Sequence, residues 1–188
     1  MPGGYPFRGA VPSDPEGDVA IVQLNEAGVG RQTLCDSILR VANRDGRFDR
    51  YLLEPQDLLI LGRGSRHPAR IVRLKIPAIA APGLHTLRPR TDRVTASYLA
   101  WCLNHPRIQA AIAEAAQGTH TPFIAKQALA NLLIPVPPLP VQDQIAEVSR
   151  LREQERQVAA KLDEARDSLV NSATWEAAVT DADRQESP

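Results

Sequence analysis

The chain holds 188 residues, of which 43% are hydrophobic and 23% charged, a balance that suits one globular domain with an appendage and is enough to bury a core. Its formal net charge is zero, which argues against a uniformly basic nucleic-acid binder. Cys35 and Cys102 lie far apart and form no CxxC pair, which argues against a disulfide scaffold and a zinc ribbon.

Residues 1–17 are rich in Pro and Gly and read as an irregular lead-in. Met1-Pro2-Gly3-Gly4-Tyr5 lacks the basic and apolar regions of a signal peptide, and no apolar run approaches about 18 residues, so a cytoplasmic location without membrane contact is expected. Residues 19–24 predict a short strand ended by Asn25 and Gly28. Residues 34–41 fit helix or strand, and Asn43-Arg44-Asp45-Gly46 is a turn. Residues 57–61 predict a buried strand, broken by Gly62-Arg63-Gly64-Ser65. Residues 69–74, 78–81 and 84–87 follow as strands, the first two separated by Pro77.

Helical spacing begins at Thr95, an N-cap residue, with Tyr98, Leu99, Cys102 and Leu103 on one face. His105-Pro106 interrupts it. Ile108, Ala111, Ile112 and Ala115 continue in a second helix, with Gly118 where a C-terminal glycine cap would stand. Thr119-His120-Thr121-Pro122 reads as a loop, residues 126–131 as a short helix and residues 132–136 as the last strand.

From Pro140 the pattern changes. Val148, Leu151, Val158, Leu162, Ala165 and Leu169 follow three- and four-residue spacing interrupted by Glu155, a heptad seam of roughly three repeats. A helix of about 30 residues is about 45 Å long, more than one face of so small a domain covers. Part of the stripe is therefore expected to meet another helix, within the chain or on a partner; the plain alternative is packing on its own domain. The expected organisation is a domain over 1–139, a pairing helix over 140–172 and a polar tail over 173–188.

Charge is unevenly spread. Residues 1–144 carry 16 Lys/Arg against 12 Asp/Glu, and residues 145–188 carry 6 against 10. Between Arg63 and Arg93 there are eight basic residues and one acid, Asp92. A basic patch joined to an acidic helix allows DNA contact despite the neutral sum; a solvated basic surface is the plainer reading.

Ile134-Pro135-Val136-Pro137-Pro138-Leu139-Pro140-Val141-Gln142-Asp143-Gln144-Ile145-Ala146 resembles the end of a target-recognition domain in type I restriction-modification specificity subunits, where a proline-rich strand opens into a long helix. Consecutive prolines fix an extended exit and forbid helix until Pro140, whose φ suits a first turn. Three further segments resemble the family in the same order: residues 53–60 followed by Gly62 and Gly64; Ser97-Tyr98-Leu99-Ala100-Trp101-Cys102-Leu103; and Ala116-Gln117-Gly118-Thr119 leading to Pro122-Phe123-Ile124. Gln56 stands where the family usually has glycine, and Asp143 where it has Glu. The larger departure is dose, because the common member carries two recognition domains and two long helices in one chain and this chain has one of each.

The resemblance implies an α+β recognition domain with a curved, mixed sheet and flanking helices, followed by one coiled-coil-type helix. It also implies a half-size specificity subunit that reads double-stranded DNA, pairs through the helix with itself or with another half subunit, and directs methyltransferase subunits and a restriction/translocase subunit to a split target. The sequence carries no S-adenosylmethionine glycine loop, no N-P-P-[YF] motif and no P-loop, so S-adenosylmethionine and ATP/Mg are expected on partners and no catalytic or metal site in this chain. Cys35 and Cys102 sit in apolar settings and read as core.

What remains is readout. Arg63, Arg66, Arg70 and Arg73 can hold phosphate or fork onto guanine O6 and N7. Ser65 and His67 share their loop; Thr119, His120 and Thr121 form a second polar loop, with Lys126 just beyond. Arg90 and Arg93 read as helix-flanking surface charges. The alternatives are a stand-alone DNA-binding regulator of the same fold and a helix-pairing adaptor that binds only protein.

Overall fold

Alternation of side chains along one short strand organises the first part of the molecule. The computed structural model describes residues 3–8, 14–23, 39–73, 76–118 and 120–185. The chain divides into two units, Met1–Glu147 and Val148–Pro188. In the first, the strands are β1 (Val19–Val22), β2 (Arg40–Val41), β3 (Leu58–Leu61), β4 (Ala69–Ile71), β5 (Ala78–Ala80) and β6 (Leu84–Leu87). They form two three-stranded sheets. In one, β1 pairs antiparallel with β2 and parallel with β5. In the other, β3 lies between β4 and β6, antiparallel to both. The expected α+β class holds, with two small sheets, one of them mixed, in place of the single curved sheet.

Successive residues of a strand face opposite ways, and β3 is apolar on both faces. Leu58 and Ile60 join Ala96, Leu99, Leu103, Ile112 and Ile124 in one core. Leu59 joins Val19, Ile21, Phe48 and Ile79 in the other. All three β3 residues are fully buried, which is why the strand reads as an unbroken apolar run. The lead-in is partly built into the second core: Gly4 N–H donates to the Leu84 carbonyl and Tyr5 N–H to that of Ala80 (2.9 Å each), and the Tyr5 ring meets Phe7, Phe48 and Tyr51 edge-on.

Three helices cover the first core: α1 (Ala96–Asn104), α2 (Pro106–Ala115) and α3 (Lys126–Ala130). Thr95 caps α1 as expected, its side chain accepting from Tyr98 N–H. His105 ends α1 and caps α2, whose first residue is Pro106. Gly118 is not a helix cap, because α2 ends at Ala115 with Ala116 extended. Its φ of +95° serves the turn that follows.

The free edge of β4 is closed by side-chain amides. Asn104 accepts from Ala69 N–H (2.9 Å) and donates to the Ala69 carbonyl (2.8 Å). Gln109 treats His67 likewise, at 3.3 and 2.9 Å. Residues 67 and 69 present their peptide groups on the same side of the chain, so two helix residues stand in for a missing neighbour strand.

The proline segment corrects the expected last strand. Residues 132–138 join no sheet, since Pro135, Pro137 and Pro138 have no N–H to donate. Their carbonyls are used instead: Pro135 accepts from Tyr98 Oη (2.8 Å) and Pro137 from Gln142 Nε2 (2.7 Å). Gln142 is fully buried and also donates to the Arg93 carbonyl and accepts from Thr95 N–H, both at 2.9 Å. One amide thus ties the start of α4 (Leu139–Gln185) to the cap of α1.

In the second unit, α4 runs on to Gln185, past the polar tail expected from residue 173; no Gly or Pro occurs between Val148 and Gln185 to stop it. Val148, Leu151, Val158, Leu162, Ala165 and Leu169 are all exposed. Cys35, Asn25, Gly28 and most of residues 34–41 lie outside the described residues, as does Leu74; β4 ends at Ile71.

Gln56, where glycine was expected, has φ +70°. A left-handed non-glycine residue costs about 1–2 kcal/mol, while glycine adds about 0.5–1 kcal/mol of unfolded-state entropy. Gln56→Gly is therefore expected to stabilise the protein by about 0.5–1 kcal/mol in urea denaturation; a lower midpoint would contradict this account of the turn.

Candidate nucleic-acid interface

Where β3 ends, the chain continues as a narrower ladder made of glycine-bearing turns. Gly62 N–H donates to the Gly83 carbonyl (2.8 Å), Ile124 N–H to that of Gly62 (2.9 Å) and Gly64 N–H to that of Pro122 (2.8 Å). On its far side the same segment meets the end of α2, as Phe123 and Gln117 exchange both main-chain bonds at 2.8 Å. The two loops singled out in the sequence, some sixty residues apart, are thus laid side by side by main-chain bonds.

Two histidines brace this ladder. His85 Nε2 lies 2.8 Å from the Ile124 carbonyl, and His67 Nδ1 2.8 Å from that of Leu61. A carbonyl only accepts, so each of these nitrogens carries the proton. Gly62 is required by space: a Cβ there would lie 2.7 Å from the Gly83 oxygen and 2.9 Å from His85 Nε2.

Arg63, Ser65 and Arg66 on the first loop are exposed, as are His120 and Thr121 on the second and Lys126 at the start of α3. Thr119 lies outside the described residues. His67 is a correction. It was expected to face a ligand, but it is 1% exposed, with its ring on Leu61 and its peptide group on Gln109, and so it shapes the loop from within.

The basic stretch from Arg63 to Arg93 does not form one patch. β4 runs antiparallel to β3, pairing Ala69 with Ile60 and Ile71 with Leu58, so Arg73 comes out at the end of the sheet opposite Gly62. Val72 N–H there donates to the Asp57 carbonyl (2.7 Å). Arg70 lies between, half-buried, on β4. Arg88 emerges at the same far end and is neutralised. Its Nε and Nη2 reach the two oxygens of buried Asp57 at 2.8 and 2.9 Å, and Nη1 pairs with Glu54. The hydrogen-bonded Asp57 carboxylate, more than the charge of Glu54, holds the Arg88 guanidinium more firmly protonated. Arg93 contributes its carbonyl to Gln142.

Reasoning from sequence missed Gln117, at the ladder's outer edge, and Phe123, between it and Arg63, and passed over Gln142 in favour of the exposed Asp143. The available signal for Gln142 was its place in the first turn after four prolines, where a polar side chain faces unsatisfied helix ends. Burial pushes the Cys102 thiol up from its ordinary value, which keeps it protonated and suits a core residue rather than a nucleophile. Among the described residues no group of His, Cys, Asp or Glu could hold a metal ion, and no helix is long and apolar enough to cross a membrane.

Gly62→Ala is expected to destabilise the protein by about 1–3 kcal/mol, the range for an overpacked site, because the obstructing atoms include backbone oxygen. Calorimetry showing an unchanged unfolding temperature would mean that the ladder yields at this point.

Comparison with curated proteins gives no match. The family described as type I restriction modification DNA specificity domain matches residues 47–151, more than half of the chain. The match runs from the turn before β3, through the ladder and the proline segment, into α4. The chain belongs to the family of type I restriction modification DNA specificity domains, and the role of such a domain is to recognise DNA.

Proposed function

We propose that this chain is the non-catalytic DNA-reading subunit of a type I-like restriction-modification system, with Arg63, Ser65, Arg66, His120 and Thr121 on its DNA-facing side, and Thr119 and Lys126 close to them in sequence. The observation that carries the reading is the main-chain ladder joining the two polar loops into one surface. Phosphate contacts position such a surface and base contacts specify the sequence. Arg70 is a weaker candidate because it is half-buried, and Arg73 because it leaves the sheet at the other end.

The exposed seam of α4 supports the second half of the proposal, in which two copies pair through Val148, Leu151, Val158, Leu162, Ala165 and Leu169. Val179, also exposed, falls two heptads beyond Ala165, but polar Ser172 and Glu176 hold the seam positions between, so the apolar stripe ends at Leu169. A seam of this length is unfavourable to leave in water, and a two-fold pair would set two reading heads a fixed distance apart. The bipartite target, the methyltransferase and restriction/translocase partners carrying S-adenosylmethionine and ATP/Mg, and the cytoplasmic setting belong to this proposal.

Binding of the full chain to duplex DNA is expected to weaken linearly in log–log form as salt rises. Replacing Arg66 or His120 by Ala should cost about 1–3 kcal/mol on the preferred sequence if the side chain touches a base, and equally on random DNA if it only holds phosphate. Absence of salt-dependent duplex binding would refute the reading in favour of a protein-only adaptor.

Four residues inserted into α4 add about 6 Å, or on the order of two base pairs at 3.4 Å per step. Methylation mapping is expected to show a widened gap between half-sites. An unchanged gap would remove the helix from its proposed role as spacer.

A further inference from the structure

Residues directly opposite each other in an antiparallel pair present their side chains to the same face. Phe123 stands opposite Gln117 on one side and Arg63 on the other. Its contact with Gln117 is the doubly bonded kind, whereas Arg63 and Phe123 are flanked by the bonds Gly64–Pro122 and Ile124–Gly62. That second arrangement brings facing side chains closer. An amide, an aromatic ring and a guanidinium therefore stand in one row across three segments of chain. All three residues are exposed, and Phe123 leaves 42% of its surface in solvent while both its main-chain groups are bonded. An aromatic ring fixed at the surface by its main-chain bonds, between two polar neighbours and beside Gly118, offers an apolar face that gains when a ligand covers it.

We propose that Gln117, Phe123 and Arg63 form a single base-contacting row, an inference that rests on the loops facing DNA as argued above. The three chemistries match three features of the major groove: Arg63 forks onto guanine O6 and N7, Gln117 onto adenine N7 and N6, and the Phe123 ring covers a thymine methyl. The dimensions agree. Neighbouring strands are about 4.8 Å apart, so the row's two ends stand about 10 Å apart, the length of about three base-pair steps of 3.4 Å, and the three contacts fall within four consecutive base pairs. The competing role for Phe123 is filler over Gly118, where an added Cβ would sit 3.9 Å from the ring.

The test is selection of preferred sites from a random-sequence duplex pool by the full chain and by Gln117→Ala, Phe123→Ala and Arg63→Ala. Each variant is expected to lose preference at one base pair and keep the others, with a loss of roughly fivefold to 150-fold for Gln117 and Arg63. For Phe123 the reciprocal arm changes only the DNA. Deoxyuridine in place of the thymine should cost about fourfold, the worth of one buried methyl group, and should cost nothing further in Phe123→Ala. This arm uses the unaltered protein, so a folding defect in the variant leaves the uracil effect decisive. Preferences unchanged in all three variants, losses equal on every sequence, or indifference to uracil at every thymine of the selected site would overturn the row while leaving DNA reading intact. No enrichment and no salt-dependent binding by the unaltered chain would overturn both.

Discussion

β3 is the element on which the rest of the recognition unit depends, because it is buried on both faces and paired on both edges. Leu58 and Ile60 hold the helical layer, Leu59 holds the second sheet, and β4 and β6 fix its direction. The segment that leaves it, Gly62 to Gly64, inherits that rigidity. A surface loop ordinarily has freedom to move; here its peptide groups are bonded to Gly83, Pro122 and Ile124 before the chain turns back into β4. The polar side chains around it are presented from a firm base.

Where sheet pairing runs out, carboxamides take over. Asn104, Gln109 and Gln142 each make three hydrogen bonds to main-chain groups. A primary amide offers a donor and an acceptor in the same relation as a peptide group, which lets it close the edge of β4 and join the proline segment to the cap of α1. The family's proline-rich exit has its physical sense here. Prolines supply carbonyls without competing donors, and the buried Gln142 collects one of them along with two groups from the next layer.

Much of this was legible in the residues, and the reasons are local. Thr95, His105-Pro106 and the apolar run ending at Gly62 carry their own signals, since caps, helix breaks and buried strands are set by neighbouring residues. The heptad stripe of α4 was equally plain. What sequence could not supply were relations across long separations. Residues 132–136 have strand composition, yet they join no sheet, and the Pro135 carbonyl is taken by the side chain of Tyr98, thirty-seven positions back. Arg73 belongs to the same basic stretch as Arg63, but the reversal of β4 sends it to the opposite end of the sheet. His67 looked like a loop residue until the amide of Gln109, forty-two positions on, drew it inside. Phe123 stood only in a segment that leads out of the second loop, and its bridges to Gln117 and Arg63, far apart in sequence from each other, give it its place in the ladder.

The ladder beneath the two loops has a consequence for how this protein changes over generations. It is held together by peptide groups, glycines and two inward histidines, and it asks nothing of the outward side chains at 63, 117 and 123 beyond compatibility with extended backbone. Exchanging one of them alters the chemistry displayed without altering the frame that displays it. On the proposed reading, new binding preferences arise by single substitutions that leave folding nearly untouched, whereas a change at Gly62 or Gln142 would disturb the whole unit at once.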